Sequence, residues 1–296
     1  MGELAALGTA VLWSFTSILF TIAGRRVGSL VVNRTRLVIA VILLSSTHLL
    51  LEGTLFPQDI ELEQGLWLGL SGLLGLVLGD AFLFQSLVLV GARLSMLMMA
   101  LVPVLSTLFA WIFLGEHLSS MDLAAIGLTV LGIAWVVWEA NNQRQEISKG
   151  SYGIGIFFGF LGALGQSLGL ITAKRGLSGD ISALSAVLVR MLVAMIVLWI
   201  LTILLSKARE TILSLKDTKA LRAIIGASIV GPFLGVWLSI VAIDQTHVGI
   251  ASTLMALSPI ILLPLTHWVF KEKISGRTIF GTVTACAGVA MIFLAS

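Results

Sequence analysis

The chain is 296 residues long, 58% hydrophobic and only 11% charged, with a mean hydropathy of +1.07. A soluble domain of that size cannot hide so much apolar surface, whereas a bilayer demands it. Its net charge of +3 is spread singly and in pairs over polar connections, a pattern of membrane orientation and not of nucleic-acid binding.

Hydrophobic runs predict ten transmembrane helices, at about 4–23, 31–51, 65–88, 94–114, 120–139, 152–173, 181–205, 220–242, 248–270 and 276–295. The first opens on Met1-Gly2-Glu3 with no basic stretch and has a counterpart later, so it reads as a retained span. It carries Trp13 and the hydroxyls of Ser14, Thr16, Ser17 and Thr21, with Ser14, Ser17 and Thr21 on one face. Such hydroxyls bond back to their own helix or glue neighbours together unless they line a solute path. Arg34 and Arg36 open the second helix, near enough to its end for Arg36 to snorkel to the interface.

In the third helix Gly69, Gly72, Gly75 and Gly79 permit close helix packing. Asp80 follows them in mid-span, where a bare carboxylate is costly and either pairs, with Arg36 or Asn33, or marks an ion or substrate path. Such a group suits a coupling proton. Gln85 lies further along, and Met96, Met99 and Pro103 belong to the fourth helix. The polar stretch 140–151 links a first unit, 2–139, to a second, 152–295.

The second unit offers Gln166, Ser167 and Thr172, then Arg190 some ten residues into the seventh helix. That is too deep to snorkel, so Arg190 is expected to be paired within the protein or to meet a substrate carboxylate or phosphate. Trp13, Met96, Met99, Trp237 and Met255 form a candidate adaptable apolar wall. His247 reads as interfacial and His267 as packed. No histidine–carboxylate spacing suggests a metal site, and the lone cysteine, Cys286, allows no internal disulfide.

The chain is written twice. Met99–Glu116, MALVPVLSTLFAWIFLGE, returns from Met255 as MALSPIILLPLTHWVFKE. At that constant offset of 156 residues Ser119, Gly132 and Ala134 meet Ser275, Gly288 and Ala290. Nearer the start, Arg36-Leu37-Val38-Ile39-Ala40 answers Arg190-Met191-Leu192-Val193-Ala194. Matching mid-helix prolines, Pro103 and Pro259, predict a kink in each copy and hence a hinge. Five spans is an odd number, so tandem copies face opposite ways: two inverted five-helix repeats.

Basic residues follow helices 1, 3, 5, 7 and 9, from Arg25, Arg26 and Arg93 through Arg144 and the 207–222 stretch to Lys271, Lys273 and Arg277. The opposite side holds Lys174 and Arg175, and its 52–64 loop is acidic. The positive-inside rule then puts both termini outside a plasma (inner) membrane.

The paired ALVP…GE and ALSP…KE segments, with Leu12-Trp13-Ser14 in the first helix, resemble EamA-type transporters of the drug/metabolite transporter superfamily. The resemblance runs over nearly the whole chain. It implies an all-α integral membrane protein of ten transmembrane helices, two inverted repeats around a central cavity lined by helices 1, 3, 4, 6, 8 and 9. It also implies export or exchange of small metabolites, amino acids among them. Four-helix relatives that export cationic drugs use a carboxylate in the first helix, where this chain has Trp13 and Ser14.

The expectation is therefore a secondary transporter, monomeric, with no cofactor, taking a small-molecule substrate and a coupling proton amid membrane lipid. Substrate contacts are sought at Trp13, Ser17, Asp80, Gln85, Met99, Gln166, Arg190, Trp237 and Met255, with Pro103 and Pro259 as hinges. Nucleotide-sugar or sugar-phosphate exchange is the alternative within transport, though it wants a more basic cavity than Arg190 alone obviously supplies. A non-transporting or lipid-scrambling membrane protein is the alternative outside it. No GxxxxGK[ST] motif appears, which argues against ATP hydrolysis. An intramembrane enzyme would need an acid–base constellation in the spans, and Asp80 has no partner at catalytic spacing.

Overall fold

The computed structural model describes residues 2–58, 60–114, 119–143, 149–177, 181–245, 254–272 and 274–294. Among them every regular element is helical: α1 (Gly2–Val27), α2 (Ser29–Glu52), α3 (Leu62–Ser71), a π-helical turn Gly72–Gly79, α4 (Asp80–Met99), α5 (Leu101–Leu114), α6 (Ser120–Gln143) and α7 (Lys149–Gly176). Then come α8 (Ala183–Leu204), α9 (Ala208–Ser214), α10 (Thr218–Ser228), a second π-helical turn Ile229–Gly235, α11 (Val236–Gln245), α12 (Ser258–Phe270) and α13 (Gly276–Leu294). Seven helical segments are long and apolar enough to cross a bilayer, and α5, α12 and α13 are shorter apolar helices. Glu116, Arg144, His247, Gly249 and Lys273 lie outside the described residues.

The expected third helix and the start of the expected fourth (the rest of which is α5) form one helical run of 38 residues, Leu62–Met99. At 1.5 Å per residue that is about 57 Å, nearly two hydrocarbon thicknesses, so it must turn. It does so at Gly91, with φ 86° and ψ 170°, a region only glycine occupies without strain.

The prolines act differently from the expectation. Neither kinks a continuous helix; each stands just inside the start of a new one. Proline's ring collides with the carbonyl four residues back and it lacks an N–H, so the helical ladder fails at Met99 and Met255, repeat mates. The gap is closed by tighter turns, Ala100 N–H to Leu97 O (3.0 Å) and Leu257 N–H to Leu254 O (3.2 Å). At the second break the freed carbonyls find side-chain donors: Ser258 Oγ to Met255 O (2.9 Å), Cys286 Sγ to Ala256 O (3.3 Å) and Ser14 Oγ to Ser258 O (3.1 Å).

The two π turns are also repeat mates, because Gly75 and Gly79 stand 156 positions before Gly231 and Gly235. Glycine lets neighbouring backbones close on both. In the first, a Cβ on Gly165 of α7 would lie 2.6 Å from Gly79 Cα. In the second, a Cβ on Gly231 would lie 2.7 Å from Thr16 Oγ1 of α1.

Each half thus packs its first helix onto the other half's third span. Along α7, residues 155, 165, 169 and 176 meet residues 90, 79, 75 and 68. Numbers rise on one partner as they fall on the other, so the pair runs antiparallel. The same reversed register joins α1 to the α10–α11 span, at Leu19 with Gly226, Thr16 with Gly231 and Trp13 with Gly235. At the far edge α6 meets α13 symmetrically: Gly132 abuts Ala285 and Gly281, while its repeat mate Gly288 abuts Thr129 and Ala125. Mates exchanging equivalent contacts is the signature of an approximate two-fold between the halves. An apolar core of Leu37, Leu44, Leu188, Met191 and Leu198 joins α2 to α8 on the remaining side.

Candidate functional site

The first π turn fails to bond its own carbonyls in the α-helical pattern and so presents them sideways. Asn33 of α2 donates from Nδ2 to Leu76 O (3.2 Å), and Gln166 of α7 donates from Nε2 to Gly75 O (3.1 Å). Asp80 comes directly after the turn. Its Oδ1 accepts from Gln166 Nε2 at 2.6 Å, and its Oδ2 accepts from Arg36 Nη2 in a short ion pair. Arg36 is held in turn by Nε donating to Asn33 Oδ1 (2.9 Å) and by the Phe84 ring, 4.9 Å from its Cζ. Asp80 is 5% exposed and Arg36 4%.

This corrects the reading of Arg36 as a snorkelling interfacial residue: it is the buried counter-ion of Asp80. A lone charge at the bilayer centre costs about 2.5–3.5 kcal/mol on insertion scales, and pairing with hydrogen bonds to every lobe offsets that cost.

Arg190 completes the cluster and is its odd member. Its guanidinium lies against Gly75: a Cβ on that glycine would stand 3.7 Å from Arg190 Nη2 and 3.5 Å from Gln166 Oε1. It feels the charge of Asp80, yet its buried Nε has no hydrogen-bond partner among the described residues. The expectation that Arg190 is paired within the protein is therefore not met at Nε. The reason lies in the repeat. Arg36 and Arg190 are mates, but the position equivalent to Asp80 in the second half is Val236. One half supplies a carboxylate for its arginine and the other does not.

Of the expected contacts, Asp80, Gln166 and Arg190 come together here. Ser17 does not join them: its hydroxyl donates to Ser14 O (2.8 Å) within its own helix. Gln85 is engaged elsewhere, accepting from Ser29 Oγ (2.6 Å). Trp13 and Met255 share a small apolar cluster with Ala6, Ala242 and Leu254 at the second helix break. Trp237 lies tilted against Phe233, ring centres 5.9 Å apart, and Met99 ends α4 at the first break. Met96 is packed against a core of Phe84, Leu87 and Leu262. His267 is exposed and not packed, its Nδ1 2.7 Å from Glu272 O.

Asn33 and Arg36 were absent from the expected contact set. Their spacing of three on one helix face, and the match of Arg36 to Arg190, were the available signals. No group of three or more His, Cys, Asp or Glu side chains able to hold a metal occurs among the described residues.

Among curated proteins there is no significant match. Twenty-eight chains of solved structures match; one of them, described only as "Crystal structure of protein", superposes with a TM-score of 0.66 at 19% identity. The alignment covers 99% of this chain and 96% of that one, which bears on the fold alone. The sequence profile of the EamA-like transporter family matches residues 1–138 and again 153–294. With both halves so matched, the chain belongs to the EamA-like transporter family and is a multi-pass membrane transporter of the drug/metabolite type.

Proposed function

We propose that the protein is a secondary transporter that exports or exchanges a small polar metabolite carrying a carboxylate, amino acids foremost, by alternating access. The observation that carries this is the mid-span cluster in which Asp80 is shared by Arg36 and Gln166 while Arg190 Nε has no hydrogen-bond partner among the described residues. Two guanidiniums against one carboxylate leave a single positive charge to be met, and the planar fork of arginine fits a carboxylate bidentately. One guanidinium in excess of the carboxylate favours such a solute over nucleotide sugars and sugar phosphates, whose phosphates ask for more positive charge. Asp80, bonded to both halves through Arg36 and Gln166, is the group through which a coupling proton would act.

In this reading the chain is a monomer of ten spans in the plasma membrane, two inverted units (2–139 and 152–295) joined by 140–151, with both termini outside. The solute path runs between the halves, walled by Trp13, Met99, Trp237 and Met255. The breaks before Pro103 and Pro259 are the hinges. The test is ligand-dependent thermal stability of the purified protein against amino acids and nucleotide sugars. Stabilisation by an amino acid in wild type and its loss in Arg190→Gln is the expected result. Stabilisation by nucleotide sugars alone would replace the substrate class, and equal stabilisation of both proteins would remove Arg190 from the site.

A further inference from the structure

The basic face of the molecule holds a second charge cluster, far in sequence from Asp80. α12 ends at Lys271, whose left-handed φ of 56° caps the helix, and the reversed chain carries Glu272 back over the bundle. There Arg93 Nε of α4 lies 3.3 Å from Glu272 Oε2, with the two side chains 13% and 28% exposed. Apart from Glu272, the buried Nε and Nη1 of Arg93 have no hydrogen-bond partner among the described residues.

Arg25, at the end of α1, converges on the same point. A Cβ on Gly91 would stand 3.3 Å from Arg25 Nη2 and 3.7 Å from Glu272 Oε1, so both side chains close over the glycine that turns the chain. Arg25 Cζ also lies 5.4 Å from the centre of the Phe270 ring. One carboxylate of the second half therefore pairs with Arg93 of the first and stands over the same glycine as Arg25, across the ends of α1, α4 and α12. Arg26 and Asp217, Nη2 to Oδ2 at 2.8 Å, add a further tie between the halves on this face.

The repeat shows that this is not a general feature of the fold. The mate of Arg93 is Gly249, and the mate of Arg25 is Arg175. Arg175 is occupied with Trp67, 5.0 Å from its ring centre. On the opposite face the tie between the halves is of another kind, Glu52 of α2 accepting from the hydroxyls of Ser182 and Ser185.

We infer that Glu272 and Arg93, with Arg25 beside them, form a latch that shuts the basic face of the transport path. The inference rests on the alternating-access reading above. Because the buried nitrogens of Arg93 have no other partner among the described residues, release of Glu272 strands a partly desolvated guanidinium. Opening therefore requires a solute-driven rearrangement to offset that cost.

The test uses full-length protein in vesicles, with Cys286→Ser to remove the native thiol. The reporter is Leu265→Cys, two turns inside Glu272 on α12 and packed against Phe84, Leu87 and Leu262. A membrane-impermeant maleimide is applied from the basic face. Glu272→Gln should raise the labelling rate about tenfold, the exchange Arg93→Glu with Glu272→Arg should return it toward the parent, and Glu210→Gln, an exposed acid on the same face, should leave it alone. Labelling unchanged in Glu272→Gln, or raised equally by Glu210→Gln, overturns the latch. Solute exchange on the same vesicles separates the two ideas. Intact exchange with unchanged labelling refutes the latch and leaves the transporter standing. Raised labelling in a parent that exchanges no solute supports the gate and refutes the substrate reading.

Discussion

Asp80 and Arg36 are each held by more than the other, and that makes the cost of breaking them predictable. Asp80→Asn leaves Arg36 buried without a counter-ion, for which about 3 kcal/mol of lost stability is expected, read as a lower melting temperature in detergent. Removing both charges, Asp80→Leu with Arg36→Met, should recover part of it, because the desolvation cost of that pair leaves with it while Arg190 stays buried. Arg190→Gln should melt no lower than wild type, since no partner of Nε is lost. At the basic face Asp217 accepts from Arg26 and caps α10 by accepting from the amides of Lys219 and Ala220. The Arg26 hydrogen bond first, then the Ala220 amide, hold its carboxyl below the ordinary 3.8. A depressed folded value stabilises the protein above the ordinary value and loses that contribution as pH falls through the lowered one. Asp217→Asn should therefore lower the melting temperature modestly at pH 7, where the Arg26 pair and the helix cap are both lost, and converge on wild type as pH falls below about 4.

At the scale of the element, glycines and prolines set where the helices meet and stop. Gly165 rests on Gly79 backbone to backbone, where neither partner can swing aside. Gly165→Val should cost about 3 kcal/mol and, by lifting α7 from the π turn, also separate Gln166 from Asp80. A variant that melts and binds as wild type would show that the contact is not needed. Pro103→Ala and Pro259→Ala restore the missing backbone donor and remove the ring clash. They should raise the melting temperature slightly while slowing solute exchange; faster exchange would rule the breaks out as hinges. These elements were legible in part. Both proline segments stand in the sequence as a repeat, but the ring clash four residues back, at Met99 and Met255, turns the expected kinks into breaks. The π turns had no such signal: their glycines read as packing residues, and only the donors from Asn33 and Gln166 show what the irregular backbone is for.

At the scale of the molecule, the two halves interlock: α7 lies on the first half's third span and α1 on the second half's. Period and hydropathy made the repeat readable, because they are local. The exchange of partners was not readable, because it depends on contacts such as Gln166 with Asp80, 86 positions apart, that leave no periodic trace. Arg36 was misjudged for the same reason: near a helix end by number, it is deep by tertiary contact. Of the residues the loop-charge count put on one side, Arg25 and Arg93 close on Gly91 and Glu272, and Arg26 pairs with Asp217.

The central claim is that a solute carboxylate is bound by Arg190 at the seam between the halves. Counterflow in proteoliposomes tests it most directly, with wild type beside Arg190→Gln and Asp80→Asn, and pooled labelled amino acids beside nucleotide sugars. Saturable amino-acid exchange in wild type, abolished in Arg190→Gln although that protein folds and inserts, is the expected result. Exchange that persists in Arg190→Gln at the wild-type rate, or an absence of amino-acid exchange in wild type, would contradict it.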